Sequence, residues 1–476
     1  MDYNIALTDQ MDAQLQTSML TDKFDENACL SLWLPSIGRS RLTGIINTVL
    51  VPRSGEVKRH GNVTVDASYM DRGIETARQA KSGLAIIHTH PAGNGWQMPS
   101  SIDIKNELGL LGRSVYGVTG YPLIGMILSG DGCWSGRLYP LDDGGNVEHQ
   151  ECSAVRVVGR RLRMHYNPFL RPPLKMVRSQ YRTRTVWGKE NQSMIMRLHV
   201  GVIGAGSVGG QVAETLARMG VGRITLMDYD VIEELNLDRL TYASKLDARR
   251  KVKKVHVLKK NILRSATTPG FTTRSTTASI VERSGYRQAL DCDVLFSCVD
   301  RNWPRQVLNH ISYSCLIPVV DGGVSIRLAE NGELIHAVYR AQTIGPSRPC
   351  LSCLGMYDAG KIQLERDGVL DNPKYIEQLG KNERLQLEQE RQNIMPFSMG
   401  LASLETLQFS ELLTYVARWG DLGVQQFDFL NADMQSDHGR ICHSECEYVR
   451  MIGKGSTLSP YLSEDKAKTA VNLSNC

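Results

Sequence analysis

Apolar residues in this chain fall into short runs, and the spacing within each run predicts its element. Val200, Val202 and Ile203 form a β-branched run of the kind a buried parallel strand carries. Gln211–Met219 places apolar residues at helical intervals, and Ile224–Met227 reads as a second strand ending at Asp228. Asp293–Val299 is a buried strand followed by Asp300, and Leu316–Val320 continues the sheet into Asp-Gly-Gly-Val. Gln363–Arg391 is charged, a loop plus helix over the site, and Phe397–Trp419 is patterned as a helix that packs on the sheet. Upstream, Ala28–Leu34, Leu42–Val51, Leu84–Ile87, Tyr121–Leu128 and Cys133–Tyr139 read as strands and Ala67–Ala80 as a helix. Residues 1–20 show little pattern. Ala154–Met164 has the alternation of one more strand, and Arg160–Arg184 is rich in Arg and Lys with three prolines. Strands alternating with helices give an α/β class. The expected organisation is a domain over 1–150, a basic linker over 151–180 and a larger domain over 181–476.

Between the first strand and helix of the larger domain, Gly204, Gly206 and Gly209 stand in G-x-G-x-x-G spacing. Strand, glycine turn, helix, strand and acid form the context in which such glycines carry chemistry. Backbone N–H groups approach a phosphate at the helix N-terminus, and Asp228 can bind a ribose hydroxyl. The first reading is a dinucleotide site. Asp230, Asn236, Arg239 and Lys254 follow closely, however. A dinucleotide has no need of an Arg, an Asn and a Lys there, whereas a triphosphate needs its charge neutralised.

This order resembles the adenylating domain of the ThiF/MoeB and ubiquitin-activating superfamily, over roughly Tyr181 to Gly455. The resemblance implies a Rossmann-like, doubly wound domain that binds ATP and Mg²⁺. In it Asp228 holds the ribose, Asn236, Arg239 and Lys254 hold the triphosphate, and Asp300 coordinates the magnesium. Lys251 is the alternative to Lys254. In Tyr181–Leu198 the family sends an Arg to the partner subunit of a dimer; Arg182 matches it, with Arg184 as the alternative. The acceptor implied is the C-terminal glycine of a ubiquitin-like or sulfur-carrier protein.

The Leu84–Ile87 run leads directly into His-Thr-His-Pro. His88 and His90 are two apart, so on a strand they share a face. Ser100 and Asp103 follow in S-x-x-D spacing. Two imidazoles and one carboxylate supply three zinc ligands and leave a fourth position for water. A helix-capping S-x-x-D is the structural alternative. The set resembles the JAB/MPN metalloprotease family. That resemblance implies His88, His90 and Asp103 as zinc ligands, Ser100 as the oxyanion-side donor and Glu26 as the general base, with Glu56 as its rival.

Cys350 and Cys353 form a C-x-x-C, and Cys442, His443 and Cys446 follow far downstream. Two distant pairs point to a four-thiolate structural zinc of Cys350, Cys353, Cys442 and Cys446, with His443 able to replace Cys442. The competing reading makes Cys353 a nucleophile that takes the activated carboxyl as a thioester.

The 476 residues carry a net charge of +5, which gives no nucleic-acid footprint. No apolar opening segment or membrane-length run occurs, and the 11 cysteines fit a reducing cytoplasm. The expectation is a fused zinc (iso)peptidase and adenylyltransferase of a bacterial-type ubiquitin-like pathway. It would be a cytoplasmic homodimer that meets a conjugating-enzyme-like protein. Activation of a sulfur carrier for thiamine or molybdopterin synthesis is the nearest alternative, and an NAD-binding or pseudoenzyme scaffold the next.

Overall fold

A computed structural model describes residues 1–380, 392–415 and 421–465. The chain forms two compact units. The first comprises Met1–Pro173 with Ser314–Leu316 and Met451–Leu458; the second comprises the remaining residues.

The first unit holds β1 (Asp2–Thr8), β2 (Ala28–Ile37), β3 (Arg41–Leu50), β4 (Val57–His60), β5 (Asn62–Val65), β6 (Gly83–His90), β7 (Leu123–Ser129), β8 (Trp134–Tyr139), β9 (Gln150–Glu151), β10 (Ala154–Val158) and β11 (Leu162–Tyr166). Nine of these form one sheet in the order β11-β10-β1-β3-β2-β6-β7-β8-β9, while β4 and β5 pair with each other. Ile5, Leu7, Trp33, Ile87, Ile124 and Trp134 pack into its core. β2 runs antiparallel to β6 with Ala28 opposite His88. Carrying that register two residues further sets Glu26 against His90.

Two expectations change here. Residues 1–20 are not featureless: β1 lies inside the sheet, parallel to both β3 and β10. The helix Asp9–Met19 follows it, capped by Thr8. The stretch expected as a basic linker over 151–180 supplies β9, β10 and β11. The alternation of Ala154–Met164 does give strands, and on β10 Arg156 is buried, with its guanidinium donating to the carbonyls of Cys315 and Leu316.

The second unit holds β12 (His199–Ile203), β13 (Arg223–Met227), β14 (Thr272–Thr276), β15 (Val294–Ser297), β16 (Val319–Leu328), β17 (Leu334–Ile344), β18 (Val424–Asp428) and β19 (Asp433–Asp437), hydrogen-bonded in the order β14-β13-β12-β15-β16-β17-β18-β19. β12 to β16 run parallel, and β17, β18 and β19 extend the sheet antiparallel. Strand order reverses between β12 and β15, which opens a crevice at their C-terminal ends. This is the mixed sheet of a Rossmann-like domain.

The helix Ser207–Met219 leaves the glycine turn. The helix Met395–Thr414 packs on it and on β16 and β17 through residues such as Leu401 and Leu404. The Phe397–Trp419 expectation extends past this helix, and residues 416–419 lie outside the described residues. Of Gln363–Arg391, the helices Ala359–Arg366 and Pro373–Gln378 are described, and 381–391 lie outside. The Tyr181–Leu198 segment forms two short helices, Tyr181–Trp187 and Lys189–Ile195. They break at Gly188, whose φ of +84° suits glycine. Among the described residues, no helix is long and apolar enough to cross a membrane.

Candidate functional site

The three glycines of the turn do three different things. Gly204 has a φ of +96°, and a Cβ there would meet the Cys298 carbonyl oxygen at 2.2 Å. A Cβ on Gly209 would meet the Gly204 carbonyl oxygen at 1.9 Å, so the helix can start against the strand only with glycine there. A Cβ on Gly206 would meet nothing within 4 Å, so this glycine opens onto the crevice and a phosphate can approach its backbone. Asp228 accepts from the N–H of Ala205 at 2.7 Å and of Asp230 at 2.7 Å, which ties the end of β13 to the turn. Burial, foremost, raises its carboxyl above the usual range, with Lys254 opposing.

The crevice is a single cleft of about 830 Å³. Gly204, Gly206, Asp228, Asp230, Asn236, Arg239, Lys254 and Asp300 all line it, so eight sequence-predicted residues meet in one space. Lys254 Nζ lies 2.8 Å from Asp230, and Arg239 donates to the Leu235 carbonyl and to Asp238. Asp300 sits exposed just past β15. This donor set fits a nucleoside triphosphate: two cations and an amide for phosphate oxygens, and a carboxylate that could hold Mg²⁺. Lys251 and Arg182 are exposed and do not line the cleft.

Sequence reasoning missed the far wall. Asp321 is fully buried behind it, accepting from Ser297 Oγ at 2.6 Å and Gln342 Nε2 at 2.6 Å. Arg305 and Arg340, which do line the cleft, flank it at 3.4 and 3.5 Å. Glu405 and Cys298 complete this wall. The available signal was a pair of acids, Glu405 and Glu411, on the helix Met395–Thr414, and both are buried.

In the same unit, Cys350, Cys353, Cys442 and Cys446 bring their sulfurs within 4.8 Å of one another. The Cys350 N–H points at Cys442 Sγ (3.2 Å) and the Cys353 N–H at Cys350 Sγ (3.3 Å), the backbone support a metal-bound thiolate receives. Hydrogen bonding, chiefly from Cys350, brings the Cys442 thiol down to about 5. His443 is exposed and outside the set, so it does not replace Cys442.

In the first unit, His88, His90 and Asp103 likewise place ligand atoms within 4.8 Å of one another. His88 Nε2 is buried and lacks a hydrogen-bond partner, 3.8 Å from Asp103. Burial holds His88 down to about 4, in the neutral form a metal requires. An orphaned imidazole nitrogen facing a carboxylate fits a zinc ion. Ser100 forms a capping box with Asp103 and donates to its Oδ2 at 2.8 Å, so the capping reading of S-x-x-D holds beside the ligand reading. Glu26 lies 3.8 Å from His90 Nε2, with its carboxyl raised chiefly by burial. Glu56 is taken by Arg72 at 2.5 Å.

Comparison with protein families matches residues 177–445 to the ThiF family. The chain belongs to the ThiF family. The matched segment holds every residue of the nucleotide cleft named above and begins beyond the His88/His90/Asp103 site. Ubiquitin-like modifier-activating enzyme 5 of Oryza sativa subsp. japonica is 30% identical over 146 residues, 29% of this chain and 34% of that protein. Molybdopterin-synthase adenylyltransferase of Salmonella typhimurium is 28% identical over 165 residues, 35% of this chain and 61% of that protein. The crystal structure of E. coli MccB with ATP aligns over 57% of this chain and 74% of that one, at 18% identity and a TM-score of 0.43. The ThiF-family chain thus spans about a third of the length of the first of these relatives.

Proposed function

We propose that the second unit is an adenylyltransferase that joins the C-terminal carboxylate of a ubiquitin-like or sulfur-carrier protein to AMP, releasing pyrophosphate from ATP. The observation that carries this reading is the convergence of the glycine turn, Asn236, Arg239, Lys254 and Asp300 in one cleft. The carboxylate oxygen attacks the α-phosphorus, and the bond to the β-phosphate oxygen breaks. Gly206 lets backbone N–H groups meet the phosphates, while Arg239 and Lys254 neutralise the charge on the leaving pyrophosphate. A magnesium ion on Asp300 would supply further charge neutralisation. Arg182, exposed on its short helix, is the residue we assign to the partner's cleft in a homodimer.

The first unit we read as a JAB/MPN-type zinc peptidase acting on the same kind of tail. Zinc held by His88, His90 and Asp103 would supply the Lewis acidity that makes water nucleophilic near neutral pH. Glu26 takes the water's proton and delivers it to the leaving amine. Ser100 would orient the scissile carbonyl. Trimming a precursor to expose the terminal glycine, or removing the attached modifier, would both use this chemistry.

The Salmonella relative favours a second reading of the acceptor, a sulfur carrier in cofactor synthesis. A scaffold that binds only NAD is disfavoured by the cationic set around the phosphate position. The cytoplasm is the setting we assign, with a conjugating-enzyme-like protein as the next recipient in the ubiquitin-like reading.

ATP–pyrophosphate exchange with a carrier protein ending in Gly-Gly tests the assignment. Asp300→Ala should lower exchange by about a hundredfold or more with the fold retained, the cost of losing charge neutralisation and alignment. Exchange that survives the change removes Asp300 from the site. Mixing Arg182→Ala chains with Asp300→Ala chains should restore part of the activity if one cleft draws on both subunits.

A further inference from the structure

The wall formed by Asp321, Arg305, Arg340 and Glu405 has an unbalanced charge. The side chains of Arg305 and Arg340 are 14% and 16% exposed, and fully buried Asp321 stands between them. Arg305 Nε and Arg340 Nη1 both pair with it, at 3.4 and 3.5 Å, longer than the 2.6 Å hydrogen bonds its oxygens accept from Ser297 and Gln342. Arg305 also donates to the Gly322 carbonyl at 2.9 Å, and Arg340 to Gln342 Oε1 at 3.1 Å. Glu405 is completely buried on the helix Met395–Thr414. Its Oε2 accepts weakly from the Cys298 thiol at 3.6 Å, and its Oε1 has no hydrogen-bond partner. Burial first, and then the charge of Asp321, push this carboxyl well above the usual range, so it keeps its proton. Two cations, one anion and one neutral acid leave a single positive charge facing the cleft. Burial, foremost, brings Arg340 down to about 10, with the charge of Asp321 opposing the shift.

The backbone over this wall is kept clear. A Cβ on Gly322 would lie 2.4 Å from Glu405 Oε1, and one on Gly323 would lie 3.1 Å from Arg305 Nη2 and 3.6 Å from Arg340 Nη2. Cys298, which touches Glu405, also borders the glycine turn: Cβ atoms on Gly204 and Gly209 would both crowd it. The wall therefore adjoins the phosphate position. An anion placed there would balance the charge, take the proton of Glu405 as a hydrogen bond and stand beside the nucleotide.

We propose that Arg340 and Glu405 dock the terminal carboxylate of the acyl substrate, an ion pair from the first and a hydrogen bond from the second. The pair selects a free C-terminal carboxylate over a C-terminal amide. This rests on reading the cleft as one that joins a carboxylate to a nucleotide.

The probe is N-acetylglycylglycine, with its C-terminal amide as control, titrated onto the full chain by saturation-transfer NMR. ATP affinity is measured on the same samples by equilibrium dialysis. The parental chain should bind the acid and not the amide. Arg340→Ala, and Arg340→Gln as the variant that keeps bulk in the wall, should weaken the acid by about tenfold or more and leave ATP within about twofold. Glu405→Gln keeps a neutral donor and should stay within about threefold of the parent, while Glu405→Ala should lose affinity. The dock is overturned if acid and amide bind alike, if both Arg340 variants keep the acid, if they weaken ATP equally, or if Glu405→Gln fails as badly as Glu405→Ala. A chain that binds the acid through Arg340 but not ATP would sink the adenylation reading and leave the dock standing.

Discussion

Among the described residues the chain carries two metal-type constellations, and they differ in what they leave open. The one in the first unit offers three donors of mixed kind, His88, His90 and Asp103, with an acid, Glu26, beside one of them. The one in the second unit offers four sulfurs from two segments that lie far apart in sequence, supported by backbone N–H groups. Three donors leave a coordination position free for a reactant, whereas four close the shell. Their sequence spacing follows the same division. His88 to Asp103 spans one strand end and the next helix, so local structure aims the ligands at a reactant. Cys350 to Cys446 spans β18 and β19, so a metal there would cross-link distant segments. Cys353, read from sequence as a nucleophile or a ligand, stands in the closed set, and this favours the ligand reading.

The largest effect should come from breaking the closed set. Cys350→Ser should remove one zinc per chain and destabilise the second unit by several kcal/mol, because metal binding in a structural site contributes folding energy. Replacing His88 and His90 with Ala should remove a different zinc while the melting transition of the second unit stays in place. Metal analysis with calorimetry on both variants separates the two. Equal loss of stability from both would mean that the sites do not differ in kind. A reductant-sensitive adduct with a carrier protein that vanishes in Cys353→Ala would reopen the nucleophile reading.

A smaller effect, confined to chemistry, is expected at the open set. Glu26→Gln should retain zinc and slow cleavage of a Gly-Gly carrier fused to a reporter by about 10²–10⁴, the range of a general base. Loss of zinc along with activity would instead make Glu26 a ligand and the set a four-donor site.

Which parts were legible follows from how far a pattern reaches. His-Thr-His at the end of an apolar run is a local signal, because strand alternation puts both rings on one face. The glycine turn was legible for the same reason, and eight named residues do share one cleft. Buried charge was not legible. Arg41, buried on β3 beside Asp2, belongs to contacts across 39 residues of sequence, and Arg156, buried on β10, donates to carbonyls 159 and 160 residues away. The Asp321 wall draws Arg305, Arg340 and Glu405 from three separate elements, and no spacing rule joins them. Asp321 lies within β16 and not past the end of a strand, and its oxygens are consumed inside the sheet.

The finest distinction is between the two candidate bases, and it carries the smallest effect. Glu56 accepts from the Arg53 N–H at 2.6 Å and pairs with Arg72 at 2.5 Å, so its carboxylate closes a turn and ties it to the helix Ala67–Gln79. Arg72, foremost, holds that carboxyl below the ordinary glutamate value of 4.5. A carboxyl depressed in the folded state stabilises the fold above its unfolded value, and that stability fades as pH falls through the depressed one. Glu56→Gln should therefore lower the melting temperature slightly at neutral pH, and the difference from the parental chain should shrink below about pH 4.5. Zinc content and cleavage should not change, since nothing places Glu56 at the histidines. Melting curves across pH 3–7, run beside the cleavage assay, check both halves. Cleavage lost in Glu56→Gln but kept in Glu26→Gln would exchange the two roles.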